Sequence, residues 1–245
     1  MFPLLTCFLL TLCFTAKGGH LEILQWLKAQ KRFKLDSSFV FSACDGGYFE
    51  VLKWLRSEGC PWDEGACAGA AGGGHLEMLK WLRSEGCPWS EFACSFAAYG
   101  GHLEILKWLR SEGCPWDEET CEWAAEEGHL EVLKWLRSEG CPWDQKACRE
   151  AAQNGHLDVL KYLHENGCPW DEETCVQAAK RGDLDMLKYA HENGCPWNAR
   201  AWLNSTKSIR EYLEENHCPK YYYNGSEFRP FGFRIVYSKD EFRVV

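Results

Sequence analysis

Fifteen cysteines occur in this 245-residue chain without a single Cys-x-x-Cys pair. Zinc ligands normally come in such close pairs within a loop, so their absence weighs against a metal centre or a redox dithiol. An odd cysteine count also argues against a closed disulfide framework, which would leave one thiol over. A basic excess is lacking as well: 27 Lys plus Arg stand against 36 Asp plus Glu, a formal charge of −9. Without a basic footprint for phosphate backbones, the chain is expected to bind no nucleic acid. No strand-linked glycine-rich phosphate loop and no nucleophile elbow occur, and the acids follow helix starts and surfaces rather than forming a paired site. The expectation is a non-enzymatic protein that needs no cofactor and no metal.

Long apolar runs are confined to the first residues, "MFPLLTCFLLTLCFTAKGGH". This run suits a secretory leader in length but lacks a basic start, and Phe14 is a poor fit to the small-residue site before a cut after Ala16. It is too short for a confident membrane span, and no membrane insertion is expected. A second reading comes from register. Counted back from Gly19-His20-Leu21-Glu22, Leu12 to Ala16 fall where Cys121 to Ala125 fall later in the chain. The favoured reading is a degenerate outermost repeat in an intracellular, cytoplasmic protein. A secreted repeat protein stays open as the alternative.

What is abundant is repetition. Cys-Pro-Trp recurs every 27 residues at Cys60, Cys87, Cys114, Cys141, Cys168 and Cys195, and a last copy at Cys218-Pro219 has lost its tryptophan. Periods of this size mark stacked supersecondary units. In the unit from Asp117 to Pro142, Asp117 precedes two glutamates and the small, mostly apolar stretch Thr120 to Ala125, which reads as a capped helix with acids at its positive end. Gly128-His129 ends that helix. Leu130, Leu133 and Leu136, with Val132 beside them, have the spacing of a second one. Gly140 supplies a left-handed stop and Pro142 prevents a restart. Each unit is thus an antiparallel helix pair, and the fold class is an all-α solenoid of such pairs.

The link residues Cys60, Pro61, Trp62, Cys87, Trp89, Cys114, Trp116, Cys141, Trp143, Cys168 and Trp170 are expected to be structural. The cysteine acts as a small buried group and the tryptophan as area buried between units. Equivalent cysteines in adjacent units, one helix-packing distance of roughly 10 Å apart, lie beyond disulfide reach. The histidines of Gly-His-Leu-Glu, one per unit, are expected to bond nearby backbone rather than share a metal ion. A metal- or thiol-based sensor built on the repeated cysteines is the alternative of a different class.

The run "CEWAAEEGHLEVLKWLRSEGCPWD" resembles an ankyrin repeat in its Ala124-Ala125 pair, its Gly128-His129-Leu130-Glu131 step and its leucine-rich second helix. The resemblance covers Leu12 to about Pro219, some eight helix pairs degenerate at both ends. The unit is shorter by about six residues than the family's ~33, and the deficit falls in the link, so the β-hairpin segment is expected to be missing or reduced to a turn. Residues 1–219 would form the array and 220–245 a separate tail. The resemblance implies a protein-interaction scaffold that binds a protein partner through the concave face of its first helices.

Comparison of the copies sharpens that expectation. Four first-helix positions vary from unit to unit while the intervening Cys and Ala-Ala stay fixed. They supply the partner-binding candidates Phe96, Tyr99, Glu122, Trp123, Glu126, Arg149, Gln153, Gln177 and Lys180, with the aromatic rings as anchors. The chain is expected to be a monomer. In the tail, Asn224-Gly225 signals a turn and Phe233 to Tyr237 has β propensity, though one short strand cannot stand alone.

Overall fold

The structure, a computed structural model, describes residues 14–30, 34–203, 205–223, 228–230, 235–238 and 241–244. The chain divides into two compact units, Met1–Trp143 and Asp144–Val245. In the first, a helical turn at 14–17 is followed by helices Leu21–Ala29, Ser37–Asp45, Phe49–Ser57, Glu64–Gly72, Leu76–Ser84, Phe92–Tyr99, Leu103–Ser111, Glu118–Glu126 and Leu130–Ser138. The second contains Gln145–Asn154, Leu157–Glu165, Glu172–Arg181, Leu184–Glu192, a 3-10 turn at Ala199–Trp202 and Lys207–Glu215. Both units are stacks of helix pairs, with each first helix packed on the first helices before and after it within its unit.

Local chemistry explains the pair. Asp117 accepts from the Glu119 amide at 3.1 Å and so caps its helix; Asp36, Asp63, Asp144 and Asp171 do the same in their repeats. Both helices of the Asp117 repeat end alike. His129 N–H reaches the Ala124 carbonyl and Cys141 N–H reaches that of Leu136, at 2.8 and 2.9 Å. Each is the six-to-one bond of a Schellman turn, closed by Gly128 and Gly140 at φ 76° and 80°.

The core is asymmetric. First helices contribute small side chains such as Cys121, Ala124 and Ala125, and second helices contribute Val132, Leu133 and Leu136, all buried. Small first-helix residues let neighbouring backbones approach, and the leucines fill the space behind them. Leu130, expected on the same face, is only half-buried.

At the start of the chain, Ala16 is buried and Gly19 adopts φ 74° before helix Leu21–Ala29. Residues 14–30 thus repeat the Gly-His step of later repeats, whereas residues 1–13, the bulk of the leader-like run, lie outside the described residues. Among the described residues no helix is long and apolar enough to cross a membrane. Among the described residues, strands occur only in the tail, where Tyr221–Tyr223 pairs antiparallel with Phe228–Pro230 and Ile235–Ser238 with Glu241–Val244. The second pairing supplies the partner that a lone strand would lack. Asn224-Gly225 itself lies outside the described residues.

Candidate functional site

The Cys-Pro-Trp link is built from both sides. Cys114 Sγ donates to the Ser90 carbonyl at 3.5 Å, and Cys60, Cys87, Cys141, Cys168 and Cys195 reach the equivalent carbonyl 24 residues back in their own repeats. The thiol thus ties the end of a repeat to its beginning. Trp116 is half-buried rather than fully enclosed. Arg110 lies over its ring at 3.7 Å, and Trp135 of the next second helix meets it edge-on at 5.9 Å. Arg56 with Trp62 and Arg83 with Trp89 repeat the stack at 3.6 and 3.8 Å. In the second unit histidines replace these arginines, and His164 and His191 lie flat on Trp170 and Trp197 at 3.8 and 3.7 Å.

The thiols also meet in a way that comparing equivalent cysteines could not show. Cys94 and Cys114, of one repeat, influence each other's protonation, as do Cys121 with Cys141 and Cys175 with Cys195. That influence first, and burial second, pushes the Cys114 and Cys141 thiols up, away from the reactive thiolate. All the described cysteines are free and buried. Among the described residues no three His, Cys, Asp or Glu side chains converge as a metal site.

The Gly-His histidines bond backbone, but that of the preceding repeat rather than a nearby turn. His75, His102 and His129 donate Nε2 protons to the carbonyls of Asp45, Gly72 and Tyr99 at 3.1, 3.0 and 2.9 Å. A Cβ on Gly101 would lie 2.7 Å from the His129 ring, and its φ is 71°, so glycine is required there twice over. Where Asp183 replaces histidine, Arg181 donates instead to the Gln153 carbonyl at 3.2 Å.

The varied first-helix positions divide by unit. In the first, Phe96 meets Phe41 and Trp123 edge-on at 5.6 and 5.0 Å, and Tyr99 meets Trp123 at 6.0 Å. Phe41 and Phe96 reach each other across the intervening glycine helix, where a Cβ on Gly72 would come within 3.1 Å of Phe96. Phe41 occupies the column of Ala68 and Ser95 one repeat earlier, and comparing that repeat as well would have found it. The anchors are a mutually packed cluster rather than separate exposed rings: Phe96 and Trp123 are half-buried, while Tyr99 is 44% exposed. Ser95, Ala68 and Val176, which stand in the column of Glu122 and Arg149 in other repeats, are buried. Ser95 shares a hydroxyl contact of 3.3 Å with Thr120 of the next repeat. Glu122 and Glu126 are half-buried beside the cluster, and the Glu127 carboxylate raises the pKa of the Tyr99 hydroxyl.

In the second unit the candidates are bound to one another's surroundings. Arg149 forms a two-pronged pair with Asp171, the cap of the next repeat, and holds that carboxyl below its ordinary range. Gln153 donates to Glu150 at 3.3 Å and Gln177 to Glu173 at 2.8 Å. Lys180 lies 3.7 Å from Glu173, which Arg200 also engages.

Each unit is thus a stack of short helix pairs. Residues 121–164 match the family profile described as ankyrin repeats (many copies). Among solved structures, the crystal structure of the human ASB11 ankyrin repeat domain is similar, with a TM-score of 0.55 over 72% of this chain and 96% of that one. Sequence identity is 18%, so that likeness is one of fold. No curated protein matches the sequence at a significant level. The fold is thus that of an ankyrin-repeat domain, one stretch of the chain matches the ankyrin-repeat profile, and the repeats here are 27 residues long. Ankyrin repeats are in general protein-interaction modules.

Proposed function

We propose that the protein is a non-enzymatic scaffold that binds a protein partner through its first-helix face. The observation that carries this is the aromatic cluster Phe41, Phe96, Tyr99 and Trp123, which leaves rings part-exposed at the positions that vary between otherwise near-identical repeats. Large aromatics with partial exposure are the side chains on which interface energy concentrates, at ~2 kcal/mol or more each when truncated. In the second unit, Arg149, Gln153, Gln177 and Lys180 would offer a polar first-helix surface of that unit's own.

The test is affinity capture from native extract, comparing the unaltered chain with Tyr99→Ala and with Phe96, Tyr99 and Trp123 all replaced by alanine. Because the rings pack on each other, circular dichroism must accompany the triple variant, and the single Tyr99→Ala is the safer probe. Capture should fall in both and persist when Lys107, Arg110 and Lys134 of the second helices are replaced. Loss only in the second-helix set would place binding on the opposite face. A thiol or metal sensor has less behind it, since the described thiols are buried and those of Cys114 and Cys141 are held protonated.

A further inference from the structure

From Asp36 onward, the first helices of the Met1–Trp143 unit are segregated in charge. Segments 36–46, 63–73, 90–100 and 117–128 hold the first helices with their caps, and none of them contains a lysine or arginine. Their charges are all acidic: Asp36, Asp45, which pairs with Lys17 at 2.6 Å, Asp63, Glu64, Glu91 and then Asp117, Glu118, Glu119, Glu122, Glu126 and Glu127. The cations of the following second helices are engaged where they stand. Lys53, Lys80, Lys107 and Lys134 pair with the glutamate three residues before them at 2.7–3.0 Å. Arg56, Arg83 and Arg110 lie over the link tryptophans.

The acids crowd toward one end of the aromatic cluster. Glu122 and Glu126 flank Trp123 on its own helix, and the Glu127 carboxylate follows directly after them. Phe92, 42% exposed, extends the apolar area on the preceding first helix. A surface that joins part-exposed indole and phenol rings to carboxylates suits one side chain above others. Guanidinium stacks on an aromatic face and donates two parallel hydrogen bonds to a carboxylate, whereas an ammonium is a compact, strongly hydrated charge. The second unit lacks this character, because Lys146, Arg149, Lys180 and Arg181 sit among its first-helix acids.

We propose that the first-helix face of the Met1–Trp143 unit docks a cationic, arginine-bearing segment of the protein partner. This rests on the scaffold reading above and adds the chemistry of what is bound. The rings supply the desolvated contact, and the carboxylates steer and orient the segment.

The experiment uses the full chain and labelled oligo-arginine, oligo-lysine and oligo-glutamate peptides, followed by fluorescence anisotropy at low and near-physiological salt. Oligo-arginine should bind more tightly than oligo-lysine, oligo-glutamate should not bind, and added salt should weaken but not abolish the arginine signal. Glu122→Gln with Glu126→Gln, which preserves size and helix propensity, should weaken oligo-arginine binding by about tenfold. The same neutralisation on the second helices, Glu104→Gln with Glu131→Gln, removes equal charge and should change it by no more than about twofold. Tyr99→Ala should narrow the preference for arginine over lysine. Equal losses from both glutamate pairs would mean that the net charge alone attracts the peptides, and the proposal would fall. A partner captured from extract through Tyr99 whose bound segment carries no cation would also overturn it, yet leave the scaffold reading intact. Loss of capture by neither face's variants would remove both.

Discussion

His102 donates its Nε2 proton to the carbonyl of Gly72, thirty residues earlier, across 3.0 Å. The acceptor is one of the last carbonyls of a first helix, which the helix itself cannot satisfy. The histidine therefore caps the helix of its neighbour. His102→Ala should destabilise the chain by about 1–2 kcal/mol, because a carbonyl loses its partner and the ring's packing against Gly74 goes with it. Urea unfolding measures this. A variant as stable as the parent would show that water replaces the imidazole without loss.

Trp116 gives a smaller expectation than a core tryptophan. Its half-buried ring is held by Arg110 on one side and Trp135 on the other. Summing a cation–π and an edge-on aromatic contact, Trp116→Ala should cost about 1–3 kcal/mol, below the ~3–5 typical of a fully buried aromatic. In a stacked array the damage is local to one junction, so the transition should also broaden. A sharp, unshifted melt would mean that the junction does not depend on the indole.

One repeat lacks the cap its neighbours have. Ser90 stands where Asp63 and Asp117 stand, yet its hydroxyl has no hydrogen-bond partner and helix Phe92–Tyr99 begins without a side-chain cap. Ser90→Asp should restore the bond to the first-turn amides and stabilise the chain by ~0.5–1 kcal/mol. Thermal melts of the two proteins would show it. An unchanged or lower midpoint would mean that the backbone at Glu91, already helical at φ −51°, cannot open to accept the cap.

Alkaline pH should loosen the first repeats. Burial pushes the Cys60 thiol from its ordinary 9.0 up to about 11. Between those values the unfolded chain releases a proton that the folded chain keeps. The stability it contributes is therefore complete below about pH 9 and declines as pH rises through 11. Melting temperatures taken across that range should fall less steeply in Cys60→Ala than in the parent. Parallel slopes would assign the alkaline loss to other groups.

Much of the repeat was legible because its signals are local. Asp117 before two glutamates, glycines at Gly128 and Gly140, and leucines at helical spacing each act within one turn, so the sequence announces them directly. The bonds between repeats were harder to read. His102 to Gly72 spans thirty residues, and Ser95 to Thr120 joins positions that are not equivalent, so a comparison of like with like passes over them. Burial along the varied stripe also depends on the neighbour: Ser95 is covered while Glu122, in the same column, is only half-buried. Asp183 stands where earlier repeats carry the capping histidine. That Arg181 takes over the bond could not be seen until its guanidinium was placed beside the Gln153 carbonyl.

The thiol bonds that close each repeat span 20 or 24 residues, and the histidine bonds that join repeats span 30. Neither distance grows with the number of repeats. Closing a loop of that size costs little chain entropy, and the cost is the same at every junction. Folding of such a chain has low contact order however long it becomes, so refolding should be fast and start at any well-formed repeat. Duplication of a 27-residue segment can then lengthen the protein without slowing its search for the native state.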